Sequence, residues 1–411
     1  MVFDHLPRTD PAWLTSLATT CRVLQPAAEA LLYRDVILFS SPAASHFCRS
    51  VVKRPHRGPA VHKLSIFLRR VSGAALRKSF GQAVRVLINL KLLELDVRDP
   101  SLFEPLVDVP FRLRSLTAGG RFSPSVLEAA LASQASLEYL CLEFPEPTGE
   151  SASGPSHAIG RSDILPKLRT LHVAGAYELD APLRSLVSYS YPIAHLQLSG
   201  RHEDIVYALK LFGNTLVTAM LDRYIDAKTG QRNHWATSVL RNAHLIKLEH
   251  LELRDFCMPG RYPSLDSRDM TVSGLGKACP ALKTFLWWVD DITMRILFSP
   301  PRDNRGNDTV IAQFAHKLFR CVPALERFGV HDMEDPERGP DLLRCAEIFE
   351  RAEDGSVKGP EYGSVDMHGI DLYRVGGCEA VSESESESDS DCLHRTRVGE
   401  FERQASSSRA L

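Results

Sequence analysis

The hexapeptide Leu248-Glu249-His250-Leu251-Glu252-Leu253 is the clearest copy of a leucine pattern that recurs along most of the chain. Close copies of the L-x-x-L-x-L spacing begin at Leu90, Leu137 and Leu168. Weaker copies begin at Val61, Leu113, Ile193, Leu216, Leu282 and Leu325. Successive copies start 23 to 34 residues apart, with one longer gap before the last, so the chain consists of similar units in series.

Each copy predicts one short strand, because apolar and other residues alternate over about five positions. The segments between copies have helical periodicity. In one of them Ser123 is placed as an N-cap and Pro124 at the first helical position, before apolar Val126, Leu127 and Leu131. With a period close to the roughly 20 to 29 residues of leucine-rich repeats, this alternation predicts an α/β solenoid with a parallel inner sheet and outer helices.

The repeats are irregular. Regular leucine-rich repeats carry Asn or Cys shortly after the last leucine, where the side chain bonds to the backbone of the turn. Here residues such as Arg98, Pro145 and Phe256 occupy those positions, so we expect each turn to satisfy its backbone groups differently. The alternative is an ordinary α/β domain in which leucine is simply common.

Composition excludes several classes of protein. The 411 residues have a formal net charge of −2 and an ordinary apolar fraction, which gives no electrostatic case for nucleic acid as partner. No apolar run reaches the roughly 18 residues of a membrane span, and no signal-peptide region is present, so we expect a cytoplasmic or nuclear protein without a membrane partner. The nine cysteines lack zinc-binding spacing and are expected to be reduced.

Catalytic motifs are absent from the sequence. The segment from Gly274 to Ala278 falls short of a P-loop, and acidic groups such as Asp290-Asp291 are better explained as solvated loops than as a cation site. We therefore predict a protein that is not an enzyme and needs no cofactor or metal. An enzyme with an unrecognised site is the remaining alternative.

Two short helices are predicted before the repeats. Asp10 suits an N-cap and Pro11 the first helical position, and the apolar residues after them form one stripe. Pro26 ends or kinks this helix, and a second helix precedes the extended Val36-Ile37-Leu38. Such helices could be nothing more than a cap on the first repeat.

The segment from Leu6 to Leu24 resembles the second half of an F-box. The segment from Glu29 to Val36 resembles the sequence directly after the F-box in fungal F-box proteins with irregular leucine-rich repeats. The resemblance implies docking on the Skp-family linker of a cullin complex, while the repeats hold a substrate. Family members have an earlier leucine-proline and first helix, of which Met1 to His5 could match only the last turn. Either the F-box is N-terminally shortened, or the true start of the protein lies upstream. The residues that would bind the linker are Leu6, Pro7, Leu14, Leu17, Cys21 and Leu24.

In this layout the third, fifth and seventh residues of each copy face the inner curve. That face is acidic in the early repeats, and richer in histidine, arginine and tryptophan later. Because exposed Trp and Arg often anchor interfaces, the later repeats are predicted to bind the substrate. The alternative is a solvated strand face with one tryptophan under a loop. The predicted substrate-binding residues are His172, His195, His250, Arg254, Trp288, Arg327 and His331.

Polar insertions are predicted at 145–163, 226–233 and 300–308. An amphipathic helix over 341–353 is expected to cap the last repeat. Beyond it lies a low-complexity acidic tail that should be disordered. Four serines in this tail have an acidic residue three positions later, which predicts phosphorylation or, more simply, a solvating tail. They are Ser382, Ser384, Ser386 and Ser388.

The predicted organisation is an F-box-like segment over 1–35, a connecting segment over 36–60, a solenoid with its capping helix over 61–353, and an acidic tail over 354–411. The predicted function is that of a substrate-receptor subunit of a Skp-cullin-F-box ubiquitin ligase. The alternative is a protein-binding scaffold without a ligase role, whose N-terminal helices only cap the solenoid.

Overall fold

The structure is a computed structural model, which describes residues 11–20, 22–68, 74–120, 124–143, 165–174, 191–225, 240, 243–257, 275–290, 310–333 and 346–363. In these residues one thirteen-stranded sheet runs in strict chain order, so each strand pairs with its sequence neighbours. The strands are β1 Asp35–Leu38, β2 Lys63–Leu68, β3 Leu92–Val97, β4 Ser115–Gly120, β5 Tyr139–Glu143, β6 Thr170–Ala174, β7 His195–Arg201, β8 Thr218–Ile225, β9 His250–Cys257, β10 Thr284–Asp290, β11 Arg327–Met333, β12 Ala346–Arg351 and β13 Val357–Gly363.

The helices lie between the strands along the chain. They are α1 Pro11–Thr20, α2 Gln25–Leu32, α3 Ser41–Lys53, α4 Ala74–Val84, α5 Pro124–Ala132, α6 His202–Phe212, α7 Leu275–Ala278 and α8 Val310–Cys321. Three short 3-10 helices cover Pro55–Ala60, Pro100–Leu102 and Glu104–Leu106. The predicted starts at Pro11 and Pro124 are confirmed, because proline lacks the N–H that the first helical turn leaves unbonded.

All ten leucine-pattern copies form strands, and each strand begins two residues after the first residue of its copy, as β9 does after Leu248. Strands β1 to β11 pair in parallel and without offset, so that Leu251, for example, lies beside Phe285. The prediction of an α/β solenoid with a parallel sheet is therefore confirmed.

The backbone is arranged in the same way just before each strand from β2 to β11. One carbonyl accepts two N–H groups from the next repeat, as the carbonyl of Glu249 does from Lys283 and Thr284 at 2.8 and 3.0 Å. This arrangement repeats ten times along the sheet, from the Arg34 carbonyl onwards. The turns that we expected to differ follow the strands, so this arrangement before the strands does not test that expectation.

A single core runs along the stack between the sheet and the helices. Every second strand residue enters it, as Leu93, Leu95 and Val97 do on β3. Near the last repeats the core becomes aromatic: the ring centroids of Phe314 and Phe328 lie 5.6 Å apart. Each repeat therefore shares its core with the repeats next to it.

The structure differs from the predicted organisation in two segments. The segment 36–60 is not a connection, because it contains most of β1, all of α3 and a 3-10 helix, which together form a first repeat. Within the predicted capping helix over 341–353, Ala346–Arg351 form β12, which pairs antiparallel to β11, and β13 lies within the predicted tail. Ile348 and Phe349 are buried on β12, which explains the apolar signal that resembled a helix.

Several other predictions lie outside the described residues. These are the three insertions and the tail from residue 364 onward, which contains all four predicted phosphorylation sites. Leu6, Pro7 and Cys21 of the predicted linker-binding set are also outside the described residues.

A buried carboxylate fixes α2 to the following helices. The Glu29 side chain accepts hydrogen bonds from Arg57 Nη2 at 2.6 Å and Arg57 Nε at 3.1 Å, and it also contacts His56 and Arg54. Arg57 in turn lies 4.9 Å from the ring centroid of Tyr33 and donates to its hydroxyl group. The hydrogen bonds from Arg57 lower the pKa of Glu29 from 4.5 to about 2.

We expect Glu29→Gln to lower the free energy of unfolding at pH 7 by about 3 kcal/mol, the equivalent of a pKa shift of this size. Since the folded state lowers the pKa of Glu29, its stabilisation is complete above pH 4.5 and is lost as the pH falls towards 2. Urea unfolding from pH 7 to pH 3 measures both effects. Glu104→Gln, which removes a carboxylate from the exposed pair with Arg77, is the matched control. Equal losses of free energy of unfolding in Glu29→Gln and Glu104→Gln would contradict the stabilising role assigned to Glu29.

Candidate functional site

The sheet surface that faces away from the helices is called the open face here. It is formed by the residues that alternate with the core residues, and the parallel register aligns them in three rows across the strands. All residues predicted to line the inner curve occupy positions on this face. The side-chain surroundings of His331 lie outside what the structure describes.

A polar cluster occupies the third row on β7 to β10. Ser199, Asp222, Arg254 and Trp288 are register neighbours on four successive strands. The Ser199 hydroxyl donates to Asp222 Oδ2 at 2.7 Å, and Asp222 Oδ1 lies 3.8 Å from Arg254 Nε. The register therefore brings together four side chains that are far apart in sequence.

Glu252 anchors the arginine of this cluster from the middle row. Both Nε and Nη2 of Arg254 lie 2.7 Å from Glu252 Oε1. The Glu252 side chain is buried, and burial raises the pKa of its carboxyl group, an effect that the nearby Asp222 strengthens and Arg254 opposes. Arg254 is thus held in one orientation by a carboxylate that is itself held in place by its burial.

The guanidinium group of Arg254 also lies against Trp288, with Cζ 5.3 Å from the ring centroid. Both side chains are half-buried, so each presents part of its surface on the open face. A cation close to an indole ring is attracted by the negative face of the ring. We call Ser199, Asp222, Glu252, Arg254 and Trp288 the arginine–tryptophan cluster.

The first row carries the other predicted residues of the later repeats. His195 and His250 lie two strands apart, about 10 Å at ordinary strand spacing, with Thr218 between them. Burial lowers the pKa of both histidines. Arg327 lies further along this row and pairs with Glu350 of β12, its Nη2 2.7 Å from Glu350 Oε1. The sequence reasoning missed this partner because it assigned the segment to a helix.

His172 lies apart from that cluster, in the middle row of β6. Its Nδ1 is 3.2 Å from Cys141 Sγ on β5. Burial lowers the pKa of His172 to about 4 and raises the pKa of the Cys141 thiol to about 12. A cysteine nucleophile needs a thiolate stabilised by a nearby cation, so this neutral pair has the wrong charge state for such chemistry.

The N-terminal helices place three predicted linker-binding residues. Leu14 is buried, whereas Leu17 and Leu24 are half-buried. Leu14 lies outside the continuous core of the solenoid, and α1 packs chiefly on α2. The burial of Leu14 counts against its direct contact with a partner. Next to these helices Val23 is 86 % exposed.

Asp222 and Glu252 are the important residues that the predicted site omitted. Asp222, Arg254 and Trp288 all lie six positions after the first residue of their copies, at Leu216, Leu248 and Leu282. Both acidic residues were therefore among the positions assigned to the inner curve, Asp222 as a seventh residue and Glu252 as a fifth. The choice of site residues favoured Trp, Arg and His, so these two carboxylates were left out.

In the described residues, no group of three or more His, Cys, Asp or Glu side chains could hold a metal ion. Within the same ranges, no helix is both long and apolar enough to cross a membrane.

The architecture and this open face define the class of the chain as a leucine-rich-repeat-like α/β solenoid preceded by short helices. No protein-family profile matches the chain, and no curated protein matches it. Among solved structures, the chain is similar to the leucine-rich repeat-containing protein LegL7 from Legionella pneumophila, with a TM-score of 0.39 and 13 % identity. That match covers 82 % of this chain and 92 % of LegL7.

His172 should make stability depend on pH. Because its pKa is about 4 in the folded state and near 6.5 when unfolded, protonation favours the unfolded state as the pH falls from 6.5 to 4. Between pH 7 and pH 5 the free energy of unfolding should therefore fall by about 2 kcal/mol less in His172→Gln than in the parent protein. Denaturant titrations at both pH values measure this difference. Gln197→Ala, at the neighbouring position of the same row, should keep the parental dependence; an unchanged His172→Gln profile would contradict the assignment.

Proposed function

We propose that this chain is a protein-binding repeat scaffold whose partner docks on the open face across β7 to β11. The observation that carries the proposal is the arginine–tryptophan cluster, in which Arg254 is fixed by Glu252 and stacked near Trp288 on a half-exposed surface. Tryptophan and arginine dominate binding energy at many interfaces, because they bury large surfaces and offer directed hydrogen bonds.

The fixed position of Arg254 supports this role. A free arginine loses side-chain entropy when a partner immobilises it, and this cost weakens binding. Here Glu252 and Trp288 already restrict the guanidinium group. A partner would therefore meet an ordered surface.

More specifically, we propose that the chain is a substrate-receptor subunit of a Skp-cullin-F-box ubiquitin ligase in the cytoplasm or nucleus. The support is the F-box-like sequence, the pair of helices α1 and α2, and the exposed Val23 beside them. The Glu29 contacts would hold α2 in a fixed position relative to the repeats, as a receptor requires if it presents a substrate.

The rival is a scaffold with no ligase role, whose helices only cap the solenoid. One observation counts against docking through these helices: Leu14, a residue of the expected docking surface, is only 9 % exposed. The Glu29 contacts are equally compatible with a cap. Linker binding therefore separates the two proposals.

Site-specific photo-crosslinking tests the scaffold proposal. A photoreactive amino acid at Thr284, on the open face between His250 and Arg327, should capture a partner protein in cells that express the chain. The same amino acid at Gln313, exposed on α8, is the control and should not. Capture should fall at least about tenfold with Trp288→Ala, as for a central interface tryptophan. Equal capture from Thr284 and Gln313 would contradict the proposal.

Calorimetric titration with a Skp-family linker protein tests the ligase proposal. We expect micromolar or tighter binding that Leu17→Asp and Val23→Asp weaken at least about tenfold, because a charge would enter an apolar contact. Val107→Asp, at an exposed valine between β3 and β4, should bind like the parent. Absence of binding, or binding that neither Leu17→Asp nor Val23→Asp weakens, would contradict the ligase proposal. The proposal of a scaffold without a ligase role would then remain.

A further inference from the structure

Basic side chains line the edge of the sheet at which the first four strands begin. Arg34, His62, Lys91 and Arg114 each lie directly before a strand, and the carbonyl of each accepts N–H groups of the next repeat. Neighbouring strands are about 4.8 Å apart, so these four positions form a line about 14 Å long. All four side chains are exposed.

Two further cations lie beside this line. Lys63 begins β2, and the exposed Arg112 lies two residues before Arg114. Acidic residues adjoin the line at Asp35, the register neighbour of Lys63, and at Glu138, which follows Arg114 in the line on β5. Positive charge therefore predominates at this edge. We call the following five residues the basic edge: Arg34, Lys63, Lys91, Arg112 and Arg114.

The cations of the basic edge have no acidic partner within the described part of the chain, where none of the five forms an ion pair. The same position in a later repeat is different, because Lys283 Nζ lies 2.8 Å from Glu249 Oε2 of the preceding repeat. Like charges at neighbouring positions of adjacent strands repel one another. An anionic ligand along the basic edge would relieve that repulsion.

The chain itself carries a segment of opposite charge. Residues 382–391 alternate serine with an acidic residue, and no lysine or arginine lies between Arg374 and Arg395. In an extended chain every second side chain points the same way, so three successive acidic residues of this run would span about 13 Å. That length is close to the length of the line of basic positions.

The chain after β13 is long enough to reach the basic edge. β13 runs antiparallel to β12, and β12 antiparallel to β11, so Gly363 lies at the edge where the parallel strands end. Nine strand spacings and one strand length separate Gly363 from the start of β4, which is about 48 Å in a straight line. The twenty residues from Gly363 to Glu383 can extend to about 66 Å.

We propose that the acidic run 382–391 docks on the basic edge of the same chain. Opposite charge supplies the attraction, and attachment to the solenoid makes the run an intramolecular ligand with a high effective concentration. The direct path from Gly363 to the basic edge crosses the open face, because helices cover the other face of the sheet. The docked tail would therefore compete with a partner of the arginine–tryptophan cluster, and this consequence alone rests on the proposed function.

Photo-crosslinking within the purified full chain tests the docking. A photoreactive amino acid replaces His62, which leaves all five cations in place, and mass spectrometry identifies the captured peptide. We expect capture of residues 382–391 of the same chain, and less capture as the salt concentration rises from about 0.05 to 0.5 M, because salt screens exposed charges. The same amino acid at Gln82, exposed on the outer helix α4, is the control and should not capture this run.

Charge variants identify the contact. Replacing the five acidic residues of the run by their amides should lower capture at least about tenfold, because several exposed ion pairs are lost together. Glu400→Gln with Glu402→Gln, which removes two carboxylates elsewhere in the tail, should leave capture unchanged. Lys91→Glu with Arg114→Glu should also lower capture. The five acidic residues of the run are Glu383, Glu385, Glu387, Asp389 and Asp391.

The outcomes separate this inference from the proposed function. Capture at residue 62 of other segments only, capture between two chains, or capture that the charge variants leave unchanged would overturn the docking while the scaffold proposal stands. In cells, the variant with the neutralised run should yield more partner capture from Thr284 than the parent does. An unchanged yield from Thr284, with docking observed at residue 62, would overturn the competition alone. Thermal unfolding shows whether each variant keeps the parental fold.

Discussion

Ten backbone carbonyl groups, one before each repeat from β2 to β11, hold the stack in register. Each accepts two N–H groups of the following repeat at 2.7 to 3.2 Å, from the Arg34 carbonyl to that of Lys283. These contacts involve no side chain, so they do not depend on the Asn or Cys of regular leucine-rich repeats. They start every strand at the same point relative to its neighbour, and a slip of one residue would turn the leucines out of the core.

The open face depends on this register. Because every strand starts at the same level, residues at equal distance from the first leucine become neighbours, whatever the length of the loops between them. Asp222, Arg254 and Trp288 come from three repeats of unequal length, yet lie on adjacent strands. Glu252 then orients Arg254 from the next row. The irregular loops therefore leave the geometry of the site intact.

The two ends of the described stack are built differently from its middle. At the first repeat, the buried Glu29 and its arginine partners join α2 to the segment after α3. At the last, β12 runs antiparallel to β11 where a helix was expected, and β13 runs antiparallel to β12 and extends the sheet into the expected tail. The prediction failed there because a short apolar run satisfies both periods, and Ile348 and Phe349 are buried in either arrangement. Only the pairing of this segment with the edge of β11 distinguishes a strand from a helix here.

The leucine spacing alone was enough to predict the class of fold, the ten strands and their parallel order, because alternating burial and a regular period leave few other solutions. It also identified Arg254 and Trp288 as members of one surface. It did not reveal the first repeat around β1, the strand pair at the end, or the contact between Glu29 and Arg57. Those features depend on contacts between residues that are distant in sequence, and such distances exist only once the repeats are stacked.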